Sequence, residues 1–168
     1  MLVVERALRV QYKIEAGVTT LAYGAATISL LADIIGREVF QHGIWGAPRF
    51  AVYAAIIAGF LGMALAAADN SLIRPRLLDF VIPPEMEEGI NRLADLVSAI
   101  LYGGLFYLAV LFVWETYDNG DVAPVLDWPL WPIQLILPYT FLSVSLRYFA
   151  HAVLPLLKLN PLATGEEI

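Results

Sequence analysis

The chain has 168 residues, is 60% hydrophobic with a mean hydropathy of +0.70, and carries a net charge of −6. That apolar share exceeds the ~45–50% usual in soluble domains. It has no cysteine, which excludes disulfides, thiolate metal sites and thiol redox chemistry, and no Lys/Arg run, which with the acidic balance excludes a nucleic-acid partner.

Residues Met1 to Glu15 read as an amphipathic lead. Val3, Val4, Ala7, Leu8 and Ile14 can share one side, with Glu5, Arg6, Arg9 and Lys13 toward water. It is either an interfacial helix or the basic flank of a first span. A cleaved signal peptide is not expected, because the apolar run that follows is too long for one. The first span, residues 17–35, has Asp33 as its only charge.

The second span, residues 50–68, is nineteen residues without a charge, ten of them Gly or Ala. At ~1.5 Å per residue it reaches about 28 Å, close to the thickness of a bilayer core. Ala54, Ala58, Gly62 and Ala66 recur every fourth position, with Ala51, Ala55 and Gly59 beside them. Such a stripe lets another backbone come close, the way helices associate in lipid.

Residues 69–95 form the longest connection. Leu77, Leu78, Phe80, Val81 and Ile82 are too few to span, and Arg74, Arg76 and Asp79 surround them, so a short interfacial helix ended by Pro83 and Pro84 is expected. Residues 96–114 are the third span, and residues 129–153 the fourth, where Pro132 and Pro138 predict a kink. The expectation is a single all-α domain of four transmembrane helices.

Loop charges orient it. With the amino terminus inside, Arg6, Arg9, Lys13, Arg74, Arg76, Arg92, Arg147 and Lys158 are inner and only Arg37 and Arg49 outer, eight against two. Both termini are then expected in the cytoplasm. Trp128 and Trp131 fall where the fourth span enters the outer headgroup layer.

Groups able to do chemistry are few. Asp33 and Arg37, four apart, are expected to form a structural ion pair at a helix end; the sharper alternative is a coupling carboxylate of a small exporter. His42 and His151 fall in opposite leaflets, so one haem cannot join them. Arg147 reads either as a boundary arginine snorkelling to the inner leaflet, or as an interhelical contact to a carboxylate or to a partner. No phosphate loop, metal-spaced cluster or nucleophilic triad is present, so neither catalysis nor a cofactor is expected.

The order of landmarks is more specific. The first span ends in Gly36-Arg37-Glu38-Val39-Phe40, with Trp45 in the loop; the second is followed by Ile73-Arg74-Pro75-Arg76-Leu77-Leu78-Asp79; the fourth opens with Pro124, Leu126, Pro129 and Trp131, then Pro138 and Arg147. Over roughly residues 16–157 this resembles the small membrane subunit (DctQ-like) of tripartite ATP-independent periplasmic (TRAP) transporters. It departs from that pattern at Ala47-Pro48-Arg49, Leu72 and Thr140.

The resemblance implies a non-catalytic subunit in the bacterial or archaeal cytoplasmic membrane. Its partners would be a large membrane subunit carrying the solute and sodium sites, a periplasmic solute-binding protein, and membrane lipids. Arg37, Glu38, Trp45 and Arg49 would lie at the outer rim, and Gly59 and Gly62 at a subunit contact. Arg74, Arg76 and Arg147 would meet inner-leaflet lipid or a partner. Two rival expectations are a self-sufficient homodimeric transporter and the membrane anchor of a redox enzyme.

Overall fold

The computed structural model describes residues 2–68 and 87–153, which are helical apart from two loops. The helices are α1 (Leu2–Phe40), α2 (Ala47–Ala68), α3 (Glu87–Asn119), α4 (Trp131–Gln134) and α5 (Ile136–Val153). Three are long and apolar enough to cross a membrane, over Leu8–Phe40, Ala47–Ala68 and Arg92–Asn119. The interfacial helix expected before Pro83 lies outside the described residues.

The lead and the first span are one helix. No proline precedes Pro48, and nothing between Glu15 and Gly17 stops a helix, so α1 runs unbroken for 39 residues, about 58 Å. The expected division of faces also shifts: Ile14 is 60% exposed, and the buried line passes through Glu15, Ala26 and Asp33. Beyond Phe40 the chain turns through Gln41 in the left-handed region (φ 57°). Pro48 then falls in the first turn of α2, where a missing N–H costs nothing.

The fourth apolar segment is broken. Pro138 has no N–H for the carbonyl of Gln134, one turn earlier, and its ring crowds that carbonyl. The helix accordingly divides at Leu135, whose N–H still bonds Trp131 O, and resumes with Tyr139 N–H to Leu135 O at 3.2 Å. The 18 residues of α5 span about 27 Å.

The helices form a row instead of a closed bundle. α1 packs along α2 and α3 along α5; a smaller contact of α2 with α5 joins the two hairpins. Only 11% of the apolar window of α1 and 17% of that of α3 is buried, against 33% for α2, as befits flanks and centre. The core is mostly alanine: Ala26, Ala51 and Ala54 between α1 and α2, and Ala64, Ala67 and Ala99 with Val144 and Tyr148 where α2, α3 and α5 meet. Small side chains bring the backbones close enough for Ser29 Oγ to donate to Ala47 O (3.0 Å) and Ser145 Oγ to Ala99 O (2.8 Å).

Candidate functional site

Two polar clusters stand in this apolar frame, 18 residues apart on α1, or about 27 Å. The larger surrounds Glu15. Tyr139, Ser143 and Arg147 recur every fourth residue and so share one side of α5. Arg147 Nη2 donates to Glu15 Oε2 at 2.6 Å, with side-chain exposures of 4% and 1%. Glu15 Oε1 accepts from Gln11 Nε2 (3.1 Å), Ser143 Oγ (2.9 Å) and Tyr139 OH (3.0 Å). Gln11 also donates to Ser143 Oγ (2.9 Å), and Arg147 Nη1 reaches Ala64 O on α2 (3.3 Å). The result is a clasp across three helices, in which both carboxylate oxygens and both terminal nitrogens of the guanidinium are satisfied.

A charge in a low-dielectric interior is tolerated only with its counter-charge and with its remaining polar atoms bonded. Glu15 meets both conditions. Arg147 Nε and, elsewhere on α5, the buried Thr140 Oγ1 have no hydrogen-bond partner.

The smaller cluster closes the α1–α2 loop. Asp33 Oδ2 lies 2.7 Å from Arg37 Nη2, and Asp33 Oδ1 accepts from the Ile44 N–H at 2.8 Å. Asp33 is buried and Arg37 largely exposed. The loop fits over the carboxylate because residue 43 is glycine; a Cβ there would sit 2.8 Å from Asp33 Oδ1 and 3.0 Å from Arg37 Nε. Leu126, from the segment between α3 and α4, lies against Gly46, so both loops meet at this end.

The expected site residues fall as follows. Arg37, Glu38, Trp45 and Arg49 are exposed around the α1–α2 loop. Gly59 is exposed and Gly62 half-buried, and neither has a neighbour within 4 Å of where a Cβ would be. The small residues that α2 buries are instead Ala47, Ala51, Ala54, Ala58, Ala64 and Ala67. Arg74 and Arg76 lie outside the described residues. Arg147 does not reach lipid: Glu15 holds it inside the protein, because an arginine on the packed face of α5 needs a nearby anion. Sequence reasoning passed over Glu15, Gln11, Tyr139 and Ser143, although their four-residue spacings on two helices were visible.

His42 is exposed in the α1–α2 loop, whereas His151 is buried in the last turn of α5, one turn beyond Arg147. They are therefore toward opposite ends of the helices, His42 at the Asp33 end and His151 at the Glu15 end.

The family described as "Tripartite ATP-independent periplasmic transporters, DctQ component" matches residues 26–158. The ectoine TRAP transporter small permease protein of Halomonas elongata is 23% identical over 141 residues, which cover 84% of this chain and 73% of the relative. Three membrane-length helices, close alanine-rich packing and charges neutralised within the chain are what a small polytopic subunit requires. The chain belongs to the DctQ family of TRAP transporter components, the small permeases of the bacterial cytoplasmic membrane.

Proposed function

We propose that this chain is a non-catalytic scaffold subunit that anchors the large membrane subunit of a sodium-coupled TRAP transporter. A periplasmic binding protein delivers an organic acid or similar small solute, and the large subunit carries it. The observation that carries this reading is the closed state of the chain's buried charges. Glu15 is occupied by Arg147, Asp33 by Arg37 and the Ile44 N–H, and Asp95, buried on α3, is partnered too, so among the described residues no buried carboxylate stands open to a travelling ion. The exposed faces are apolar and available to lipid or protein: Leu21, Ile28 and Leu31 on α1, Ile100, Leu101 and Leu108 on α3.

In this reading α5, with the turn of α4 before it, is the fourth span. Arg147 is a core residue, so it leaves the loop count, which becomes seven against two and keeps both termini cytoplasmic. The Asp33 cluster with Trp45, Arg37, Glu38 and Arg49 is then periplasmic, on the side where the binding protein arrives. Arg74 and Arg76 face anionic headgroups or the large subunit. The relative is named for ectoine; the low identity leaves the solute of this transporter to be measured.

The test is reconstitution. A tagged form of this chain should retain the large membrane subunit through detergent purification. Proteoliposomes holding both, supplied with binding protein, should take up solute down a sodium gradient, and the chain alone should take up none. Uptake by the chain alone, abolished by Asp33→Asn, would overturn the scaffold reading in favour of a self-sufficient transporter.

A further inference from the structure

The first turns of α1 carry three exposed bases that lie outside both polar clusters. Residues 5–15 hold three bases, Arg6, Arg9 and Lys13, and two acids, Glu5 and Glu15; Glu15 is held by Arg147, and Arg9 has a partner within the chain. The three bases stand at spacings of three and four, within about 60° of one another around the helix. Gln11 and Glu15 face α5, and the basic stripe lies on the far side of α1 from them. Followed along the helix, the same line passes through Gly17, Thr20, Gly24 and Leu31, and the adjoining line of Ile14 through Leu21 and Ile28, 75% and 69% exposed. This is the outward face of the outermost helix of the row, the line on which α1 meets its surroundings.

Depth follows from the two clusters. Between Glu15 and Asp33 there is no charge, and the distance, about 27 Å, matches a bilayer core. The stripe therefore begins where the hydrocarbon ends. Lys13 stands half a turn past Glu15 and Arg6 two and a half turns past it, about 3 to 14 Å beyond. Val10 (53%) and Ile14 (60%) lie beside the stripe with their apolar side chains exposed. Three cations stacked over that interval, flanked by two exposed apolar side chains, complement a layer that is anionic above and oily below.

We propose that Arg6, Arg9 and Lys13 form a binding site for the headgroups of anionic phospholipids, with Val10 and Ile14 resting on the acyl chains beneath. In the orientation proposed above the site faces the cytoplasmic leaflet. It goes beyond the subunit's role in transport and does not depend on the solute. Each base near an anionic surface contributes about fivefold in local lipid enrichment, an effect screened by salt.

The experiment uses the full chain in complex with its large subunit, in phosphatidylcholine nanodiscs. A bimane label is placed on V10C, since the chain has no cysteine of its own, and the large subunit is made cysteine-free. Quenching by brominated phosphatidylglycerol is compared with quenching by brominated phosphatidylcholine. The expected result is a severalfold preference for the glycerol lipid at low salt. It should fall toward one at high salt and in the combined Arg6→Gln, Arg9→Gln, Lys13→Gln chain, which keeps good helix formers and should still co-purify with the large subunit. Equal quenching by both lipids, a preference that survives the triple substitution, or a label shielded from both lipids by protein would each overturn the proposal.

Discussion

At the scale of single residues, Glu15 holds the most consequential contacts. Glu15→Gln would leave the Arg147 guanidinium buried beside a neutral amide, and losing one partner of such a pair costs about 3–5 kcal/mol. Replacing both residues with apolar ones, Glu15→Leu with Arg147→Met, should restore much of that loss, because the desolvation of both ions disappears with them. Ser143→Ala removes two hydrogen bonds and should cost about 1 kcal/mol, near the modest values found for polar contacts in membranes. Thermal or denaturant unfolding of the purified chain in one detergent would rank the three. A double variant as weak as Glu15→Gln alone would contradict the account. The glycines offer a second comparison. Gly43→Ala puts a methyl onto the Asp33 carboxylate and should loosen the α1–α2 loop by about 1–2 kcal/mol, whereas Gly24→Ala meets open space and should be neutral or slightly stabilising. The Asp33–Arg37 pair was legible from its spacing alone. Glu15 was not, because a carboxylate just before an apolar run reads as a water-facing flank until its partner on another helix is known.

Among the elements, what was readable depended on whether the deciding force was local. The three long apolar helices followed from charge-free runs, and the break before α5 from Pro138, both properties of neighbouring residues. Where α1 begins is not such a property. Arg6, Arg9 and Lys13 fit either a separate interfacial helix or the basic flank of the first span; the structure has the flank, since no residue between the two interrupts the backbone ladder and Gln11 and Glu15 fasten it to α5. The α4–α5 division admits a direct test. Pro138→Ala returns an N–H to the Gln134 carbonyl, and removing an interior proline favours a continuous helix by about 3 kcal/mol. Spin labels on either side of Leu135 should move to the spacing of an unbroken helix in the alanine variant. Labels that stay at the wild-type distance would mean that the loop before α4 fixes the bend, through the Val122–Pro129 bridge and the Ala123–Trp128 hydrogen bond.

For the whole molecule, the row of helices has consequences that a closed bundle would not. A bundle hides each helix on two sides, but here α2 is covered by α1 near Ala51 and Ala54 and by α5 near Ala64 and Ala67. Ala55 and Gly59 remain exposed and Gly62 half-exposed on a separate line. Within this chain nothing approaches a Cβ placed on Gly59 or Gly62. A glycine inside a helix costs about 1 kcal/mol relative to alanine, so the chain by itself has no use for either. In the scaffold role proposed above they would admit a helix of the large subunit at backbone distance. Gly59→Leu separates these two settings. It should leave the unfolding of the isolated chain unchanged or slightly improved, since the new side chain points into open space. It should also sharply reduce the amount of large subunit retained through purification, with solute uptake falling in proportion. Gly59→Ala, which adds one methyl group, should fall between. Full retention of the large subunit by the leucine variant would mean that this line of α2 faces lipid, and that the partner seats on the outer flank of α3 or α1 instead.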